Sequence, residues 1–278
     1  MILTCKGSEY MVDFQSKPHY GYEDLLRIME LLRAPGGCPW DREQTHESLR
    51  RNFLEESCEV VEAIDRGDRA ALCEELGDAL LQVVFHAQLE KEQGGFTMDD
   101  VVDGICKKLV YRHPHVFGSA EVSSTAEELD RWEALKRREK GQRSAADAVD
   151  AVAKTLPALW RAEKMQSKAA KAGFDWPDGS AVLDKLDEEA GELRRAAQDP
   201  SLPIDAPHGV KEEVGDVLFI AAKTAQRFGV DPEEALHAGC EKFARRFRYV
   251  EEHAAAPLDE LSPQDKLALW KQAKQAGS

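Results

Sequence analysis

Two groups of acidic residues, one in each half of the chain, have the residue types and the spacing of a metal-binding site. In each half a Glu-Glu-x-x-Glu motif is followed by a Glu-x-x-Asp motif. The first group comprises Glu55, Glu56, Glu59, Glu75 and Asp78, and the second comprises Glu188, Glu189, Glu192, Glu213 and Asp216. Because a helix turns by about 100° per residue, each motif places its acids on one side of a helix. We therefore expect each group to converge between two neighbouring helices.

Close carboxylates repel one another unless a cation lies between them, so this convergence indicates a metal ion. Oxygen ligands without His or Cys suit Mg²⁺, with Mn²⁺ as its substitute. A carboxylate that is not fully used in ligation can accept a proton from water, and Glu56 and Glu189 are the candidates for this catalytic role. A solvated acidic helix face is the alternative interpretation of one such motif. The recurrence of both motifs beside apolar runs favours the metal site.

Composition and charge exclude several classes of protein. The chain has 278 residues, 42% of them hydrophobic, and a formal net charge of −15. Stable binding to nucleic acid or to an anionic membrane needs a basic surface, so neither is expected. The six cysteines form no Cys-x-x-Cys pair, which predicts free thiols rather than a disulfide framework or a zinc site. Without a signal peptide or a run of about 20 apolar residues, we expect a cytoplasmic protein.

The pattern of apolar residues predicts an all-α fold that is built twice. Apolar side chains recur at helical spacing, and convincing strand or hairpin signals are missing. Landmarks of the first half recur in the same order after 133 to 138 residues: CPWD from Cys38 with FDWPD from Phe174, the two acidic groups, and KLVYR from Lys108 with KFARR from Lys242. Such a register indicates two tandem repeated helical-bundle domains.

The domain boundaries follow from the repeat and from composition. We expect a poorly ordered leader over residues 1–20, an N-terminal helical domain over 21–140, a linker over 141–155 and a C-terminal helical domain over 156–278. Thr45 and Thr97 are the expected N-caps of two helices in the first domain, because each Thr precedes a helical run.

The quoted motifs resemble a known family. GGCPWDREQTHESL, LEESCEVVEAI, EELGDALLQVVFHAQ and KLVYRHPHVFG resemble the MazG family of all-α nucleoside triphosphate pyrophosphohydrolases, and AGFDWPD, DEEAGEL, EEVGDVLF and EKFARRF resemble the second domain of its two-domain members. The resemblance implies hydrolysis of a nucleoside triphosphate to the monophosphate and diphosphate, and a house-cleaning role in nucleotide pools. It also implies Mg²⁺ dependence, a homodimer, and that the two acidic groups are the metal sites.

The basic motif of that family falls on Lys108 and Arg112 in the first half and on Lys242, Arg245 and Arg246 in the second. The last three are spaced i, i+3, i+4, so their side chains can face one phosphate chain. Lys185, one turn before Glu189, is a further candidate for phosphate binding. This chain has Cys240 where the family often carries Asn, which puts contacts to the sugar or base in doubt.

Two tryptophans, Trp40 and Trp176, are candidates for stacking on a nucleobase. Packing of a buried Trp beside a Pro turn is an equally good explanation of both. The rival to an enzyme is a module that binds nucleotide or forms a dimer interface, with one or both sites inactive. Complete acidic groups in both halves favour catalysis. The fuller basic set of the second half favours greater turnover there.

Overall fold

The computed structural model describes residues 14–118, 131–132, 135–136, 138–139, 141 and 143–276. Within these ranges all regular structure is helical, so the predicted all-α fold is confirmed. The chain divides into two compact units, Met1–Trp132 and Glu133–Ser278. The first thirteen residues of the predicted leader lie outside the described residues.

Unit 1 is built around a long helical hairpin. Its helices are α1 (Tyr22–Arg33), α2 (Pro39–Glu43), α3 (His46–Arg66), α4 (Arg69–Glu92), α5 (Met98–Arg112) and α6 (Pro114–Phe117). Both predicted N-caps are confirmed, because the Thr45 side chain accepts the N–H of Ser48 and the Thr97 side chain accepts that of Asp100. Each cap satisfies a backbone donor that a helix start leaves unpaired, which fixes where α3 and α5 begin.

A two-residue turn makes α3 and α4 antiparallel neighbours. Gly67 ends α3 with φ 64°, a left-handed conformation that glycine adopts without steric cost. Asp68 then caps α4 by accepting the N–H groups of Ala70 and Ala71. Met29 of α1 and Leu49 of α3 pack with Val84, Phe85 and Leu89 of α4 as the buried core. This core holds the hairpin that carries the first acidic group.

Unit 2 repeats the hairpin with a longer connection. Its helices are α7 (Ala145–Asp150), α8 (Ala158–Lys171), α9 (Gly179–Gln198), α10 (Val210–Arg227), α11 (Pro232–Glu252) and α12 (Pro263–Ala276). The short helix α7 lies within the predicted linker 141–155 and packs against α8. The predicted domain boundaries themselves stay a prediction.

An ion pair between a buried Lys and an exposed Asp ties the segment before α9 to α10. Lys223 is 2% exposed, and its Nζ lies 2.6 Å from a carboxylate oxygen of Asp175. The hydrogen bond from Lys223 holds the pKa of Asp175 below its usual value, although burial acts in the opposite direction. Removing Asp175 would leave the charge of the buried Lys223 ammonium uncompensated, so this contact fixes the FDWPD segment on α10.

Several apolar side chains on the helices of the first hairpin are exposed. These residues are Phe53, Leu54, Val61, Ile64, Leu76 and Leu80. Exposed apolar groups of this size commonly mark an interaction surface. None of the described helices is long and apolar enough to cross a membrane.

Candidate functional site

The α3–α4 hairpin brings three acids of unit 1 together. Glu56 of α3 and Glu75 and Asp78 of α4 each offer a carboxylate oxygen, and these oxygens lie within 4.8 Å of one another. Glu59, nearly one turn after Glu56, interacts with both Glu56 and Glu75. We call these four residues the first cluster. Four of the five acids expected here therefore share one volume.

Among the described residues, the charges that act on Glu56 and Glu75 in the first cluster are all negative. Burial, followed by the charges of Asp78, Glu59 and Glu75, raises the pKa of Glu56 above its ordinary value of 4.5. Burial and the neighbouring acids, Glu59 first, raise the pKa of Glu75 in the same direction. Raised carboxyl pKa values show that the charged forms are disfavoured. A bound cation would remove that penalty, so the first cluster fits a metal ion.

The fifth predicted acid, Glu55, is turned to a different partner. Its carboxylate accepts from Arg51 Nε at 2.8 Å, one turn earlier on the exposed face of α3. The spacing of Glu55 on the helix predicted that it lies with the other four acids, but the structure does not bring it into the cluster. A metal-binding role for Glu55 stays a prediction.

The α9–α10 hairpin brings three acids of unit 2 together in a more buried place. Oxygens of Glu189, Glu192 and Glu213 lie within 4.8 Å of one another, and we call these residues the second cluster. Glu189 is 9% exposed and Glu213 is 4% exposed. The Oε2 atom of Glu213 is buried without a hydrogen-bond partner. A buried polar atom without a partner is rare in folded proteins, and a cation bound here would supply one.

Lys185 already places one positive charge at the second cluster. Its Nζ lies 2.9 Å from an oxygen of Glu188 and 2.9 Å from an oxygen of Glu189. These hydrogen bonds, that to Glu189 first, raise the pKa of Lys185, so it stays an ammonium. Glu188 is exposed on the outer side of this pair, and Asp216 is exposed one turn after Glu213. The roles predicted for Glu188 and Asp216 stay predictions.

The predicted phosphate-binding residues differ in exposure. Lys108, Lys242 and Arg245 are exposed, as side chains that bind a phosphate group from solution must be. Arg246 is partly buried, and its Nε is buried without a hydrogen-bond partner. The guanidinium carbon of Arg112 lies 5.5 Å from the ring centre of Trp132, within the range of a cation–π contact.

An apolar cavity of about 590 Å³ opens between α11 and α12, on the helix that carries the basic residues of unit 2. It is lined in part by Phe243, Phe247 and Trp270. The Phe243 and Trp270 ring centres are 5.4 Å apart and tilted by 51°. Trp270 is not among the binding residues that the sequence predicts. Its role depends on the contact with Phe243 on the preceding helix, and no sequence pattern indicates that contact.

The two tryptophans that were candidates for base stacking lie in different surroundings. Trp40 is 56% exposed on α2 and accepts a hydrogen bond from Gln44 through its backbone oxygen. The ring of Trp176 is partly buried, with Lys223 Nζ 6.0 Å from its centre. The surroundings of Trp176 favour packing, whereas the ring of Trp40 is open to a ligand.

Both clusters consist of oxygen donors only, the set that Mg²⁺ and Mn²⁺ prefer. Each cluster is formed by equivalent helices of one repeat, with an acid from Glu-Glu-x-x-Glu facing the Glu of Glu-x-x-Asp. In unit 2 the Lys185 ammonium adjoins the cluster. This arrangement can hold a metal ion beside a fixed positive charge.

Comparison with known proteins places both hairpins in one family. The chain matches the family described as MazG nucleotide pyrophosphohydrolase domain twice, over residues 44–117 and 178–250. It is 42% identical over 257 residues to the nucleoside triphosphate pyrophosphohydrolase/pyrophosphatase MazG of Thermotoga maritima, which covers 91% of this chain and 95% of that protein. The nucleoside triphosphate pyrophosphohydrolase of Escherichia coli (strain K12) is 42% identical over 254 residues, 90% of this chain and 95% of that protein.

A third relative matches about half of the chain. The nucleoside triphosphate pyrophosphohydrolase of Mycobacterium tuberculosis is 44% identical over 153 residues, 54% of this chain and 45% of that protein. The two family matches contain the two clusters, and they confirm the tandem repeat and the resemblance inferred from the motifs. With 42% identity over most of its length to two named members, the chain belongs to the MazG family of nucleotide pyrophosphohydrolases.

Proposed function

We propose that this protein hydrolyses nucleoside triphosphates to monophosphates and diphosphate, with Mg²⁺ held by the acidic clusters. Membership of the family makes the chain a nucleoside triphosphate pyrophosphohydrolase, an enzyme that acts on phosphoanhydride bonds. The observation that carries the metal assignment is the second cluster, where Glu213 Oε2 is buried and unpartnered beside Glu189 and Glu192. Removing unwanted nucleotides from cellular pools, in the cytoplasm, is the role that we propose for this activity.

The side chains divide the chemistry among them. When bound, the divalent cation would screen the triphosphate charge and lower the pKa of a bound water. Glu56, whose pKa is raised by burial and by the neighbouring acids, accepts the proton of the attacking water in unit 1, and Glu189 takes the equivalent role in unit 2. The water oxygen bonds to phosphorus, the anhydride bond between the α- and β-phosphates breaks, and diphosphate leaves.

Basic residues hold the phosphate chain in place. Lys242 and Arg245 are exposed on α11, and Lys185 adjoins the second cluster. Charge-assisted hydrogen bonds from ammonium and guanidinium groups to phosphate oxygens are among the strongest in proteins. The second copy offers more of these donors than the first, where Lys108 and Arg112 occupy the equivalent helix. We propose that the second copy contributes most of the turnover.

The cavity between α11 and α12 is the proposed site of the nucleobase. Its aromatic lining of Phe243, Phe247 and Trp270 suits a flat π-system. Aromatic stacking tolerates every base, so this cavity by itself sets no sharp base preference.

The test is diphosphate release from ATP, GTP, CTP and UTP by the wild type, Glu213→Gln and Glu75→Gln. Activity should vanish with excess chelator and return with Mg²⁺ or Mn²⁺. Glu213→Gln should lose at least about 100-fold, because even residues behind metal ligands typically contribute 10- to 100-fold. Glu251→Gln, an exposed acid of α11 outside both clusters, is the matched control. Full turnover in chelator would refute the metal site, and loss only in Glu75→Gln would reverse the ranking.

A further inference from the structure

The connection between α9 and α10 differs from its counterpart in unit 1. There Gly67 and Asp68 join the helices, whereas residues 199–209 do so in unit 2. Three backbone hydrogen bonds close this loop: Ala206 N–H to Pro203 O at 3.1 Å, Gly209 N–H to Ala206 O at 2.8 Å, and Lys211 N–H to Ile204 O at 3.2 Å. The loop therefore has a defined backbone conformation, and it ends at the start of α10, next to the second cluster.

Gly209 shows how tightly the loop is closed. A Cβ at this position would lie 2.6 to 2.8 Å from the backbone oxygens of Pro203, Ile204 and Ala206, closer than real Cβ atoms come. A side chain at Gly209 would push the loop open. The position of the preceding residue, His208, is thus fixed relative to α10.

His208 has an unusual backbone conformation for its residue type. Its φ is 57°, and among the described residues it is the one non-glycine with positive φ. Such strain persists where the surrounding structure enforces it, and it concentrates at functional sites. The backbone N–H of His208 donates to Glu212 Oε2 at 3.2 Å, a bond that any residue except proline would make. This backbone bond therefore does not explain why residue 208 is a histidine.

The imidazole of His208 stands beside the second cluster. Its Nδ1 lies 3.7 Å from Oε1 of Glu213, whose other carboxylate oxygen is the buried, unpartnered one. The His208 side chain is 85% exposed, so it covers almost no apolar surface that would explain a packing role. A ring at the mouth of the cluster can turn toward a ligand that enters it.

We propose that His208 contacts the phosphate chain of the substrate, donating a ring N–H to a phosphate oxygen beside Glu213. The proposal rests on the proposed function of the second cluster as the triphosphate site. A neutral imidazole carries one N–H and a charged one carries two, so the contact exists in either state. Because the turn of unit 1 has no equivalent residue, this contact belongs to the second copy only and adds to its advantage.

The test compares His208→Gly with His208→Asn. Glycine removes the ring and relieves the backbone strain, and Asn accepts a left-handed conformation while keeping an N–H donor. By calorimetry, His208→Gly should bind inorganic triphosphate with Mg²⁺ about tenfold more weakly than the wild type, the size of one good hydrogen bond to a charged group. His208→Asn should recover most of the loss, and His208→Gly should melt at a higher temperature.

The control lies in the same loop. Asp205 pairs with Lys211 at 2.8 Å on the open surface, so Asp205→Ala should bind inorganic triphosphate like the wild type. Equal binding by the wild type and His208→Gly would overturn the contact, as would a His208→Gly protein that melts lower and also loses Mn²⁺ binding. If the wild type releases diphosphate while either result holds, the proposed function survives and only the role of His208 fails. A wild type that releases none overturns both.

Discussion

The Nζ atom of Lys185 lies 2.9 Å from a carboxylate oxygen of Glu189, so a cation adjoins the second cluster. The equivalent position of unit 1 is Asn52, which carries no charge. The repeat shift of 133 residues that relates Glu56 to Glu189 also relates Asn52 to Lys185. Without a metal, the ammonium offsets part of the negative charge in unit 2, while the acids of unit 1 repel one another. The same fold thus presents two sites with different electrostatics.

Replacing Lys185 by Gln should separate metal binding from substrate binding. Mg²⁺ and Lys185 compete for the Glu189 carboxylate, so the variant should bind Mg²⁺ more tightly in the absence of nucleotide. The KM for a nucleoside triphosphate should rise about tenfold or more, because a charge-assisted bond to phosphate is lost. Calorimetry with Mg²⁺ and steady-state kinetics measure the two effects. A simultaneous loss of both affinities would show that Lys185 only supports the fold.

From the charges of the first cluster, we expect the stability of the metal-free protein against unfolding to depend on pH. Glu75 has a raised pKa, so its charged form destabilises the folded state, and this penalty grows as pH rises from about 4.5 through the raised pKa. Glu75→Gln mimics the protonated acid at every pH. In chelator it should melt above the wild type at pH 7 and match it near pH 4.

Saturating Mg²⁺ should reverse the order of melting temperatures at pH 7, because the wild type then gains a ligand that the variant lacks. Thermal unfolding with and without Mg²⁺ measures both differences. A Glu75→Gln protein that melts below the wild type in chelator would mean that Glu75 has a stabilising partner and that the cluster is not short of positive charge.

Local signals explain why much of the fold was predictable from the sequence. Thr45 and Thr97 cap their helices through neighbours three residues away, and Gly67 ends α3 by its own backbone preference. The repeat located both hairpins without any knowledge of packing. Glu56 and Glu75 converge because a short turn leaves their helices no alternative to an antiparallel arrangement.

The remaining features depend on contacts that spacing does not specify. Glu55 shares a helix face with Glu56, but a favourable partner one turn away, Arg51, holds it elsewhere. Trp270 meets Phe243 only because α12 packs back on α11. The position of His208 depends on the sign of one backbone angle in a loop without a helical or strand pattern.

Trp270→Ala tests the proposed base site independently of the phosphate contacts. Loss of one stacking partner typically costs about 1–3 kcal/mol per base, so the KM for every nucleoside triphosphate should rise about 5- to 150-fold. Binding of inorganic triphosphate with Mg²⁺, which has no base, should stay within about twofold of the wild type. Trp40→Ala, which changes the exposed Trp of α2 in unit 1, is the matched control. If only Trp40→Ala raises KM, the base binds in unit 1 instead.

The last prediction concerns the exposed apolar residues of the first hairpin. Leu76 is 52% exposed and Leu80 is 39% exposed on α4, while Val84, further along the same helix, is 2% exposed. The apolar stripe therefore begins in the core and continues onto the surface, where a second copy of the hairpin would cover it. Pairing two helical hairpins into a four-helix bundle buries such stripes with ordinary packing geometry. We expect a homodimer in solution.

Leu76→Lys should break this dimer, because a two-fold interface carries each substitution twice and places two ammonium groups in an apolar contact. The dimer dissociation constant should rise at least about 100-fold, the size expected for central interface residues. Light scattering and analytical ultracentrifugation at micromolar concentration measure it. Tyr20→Lys, which changes an exposed aromatic outside the hairpin, should leave the dimer intact. A wild type that is monomeric under these conditions would contradict the prediction, and the exposed stripe would then need another partner.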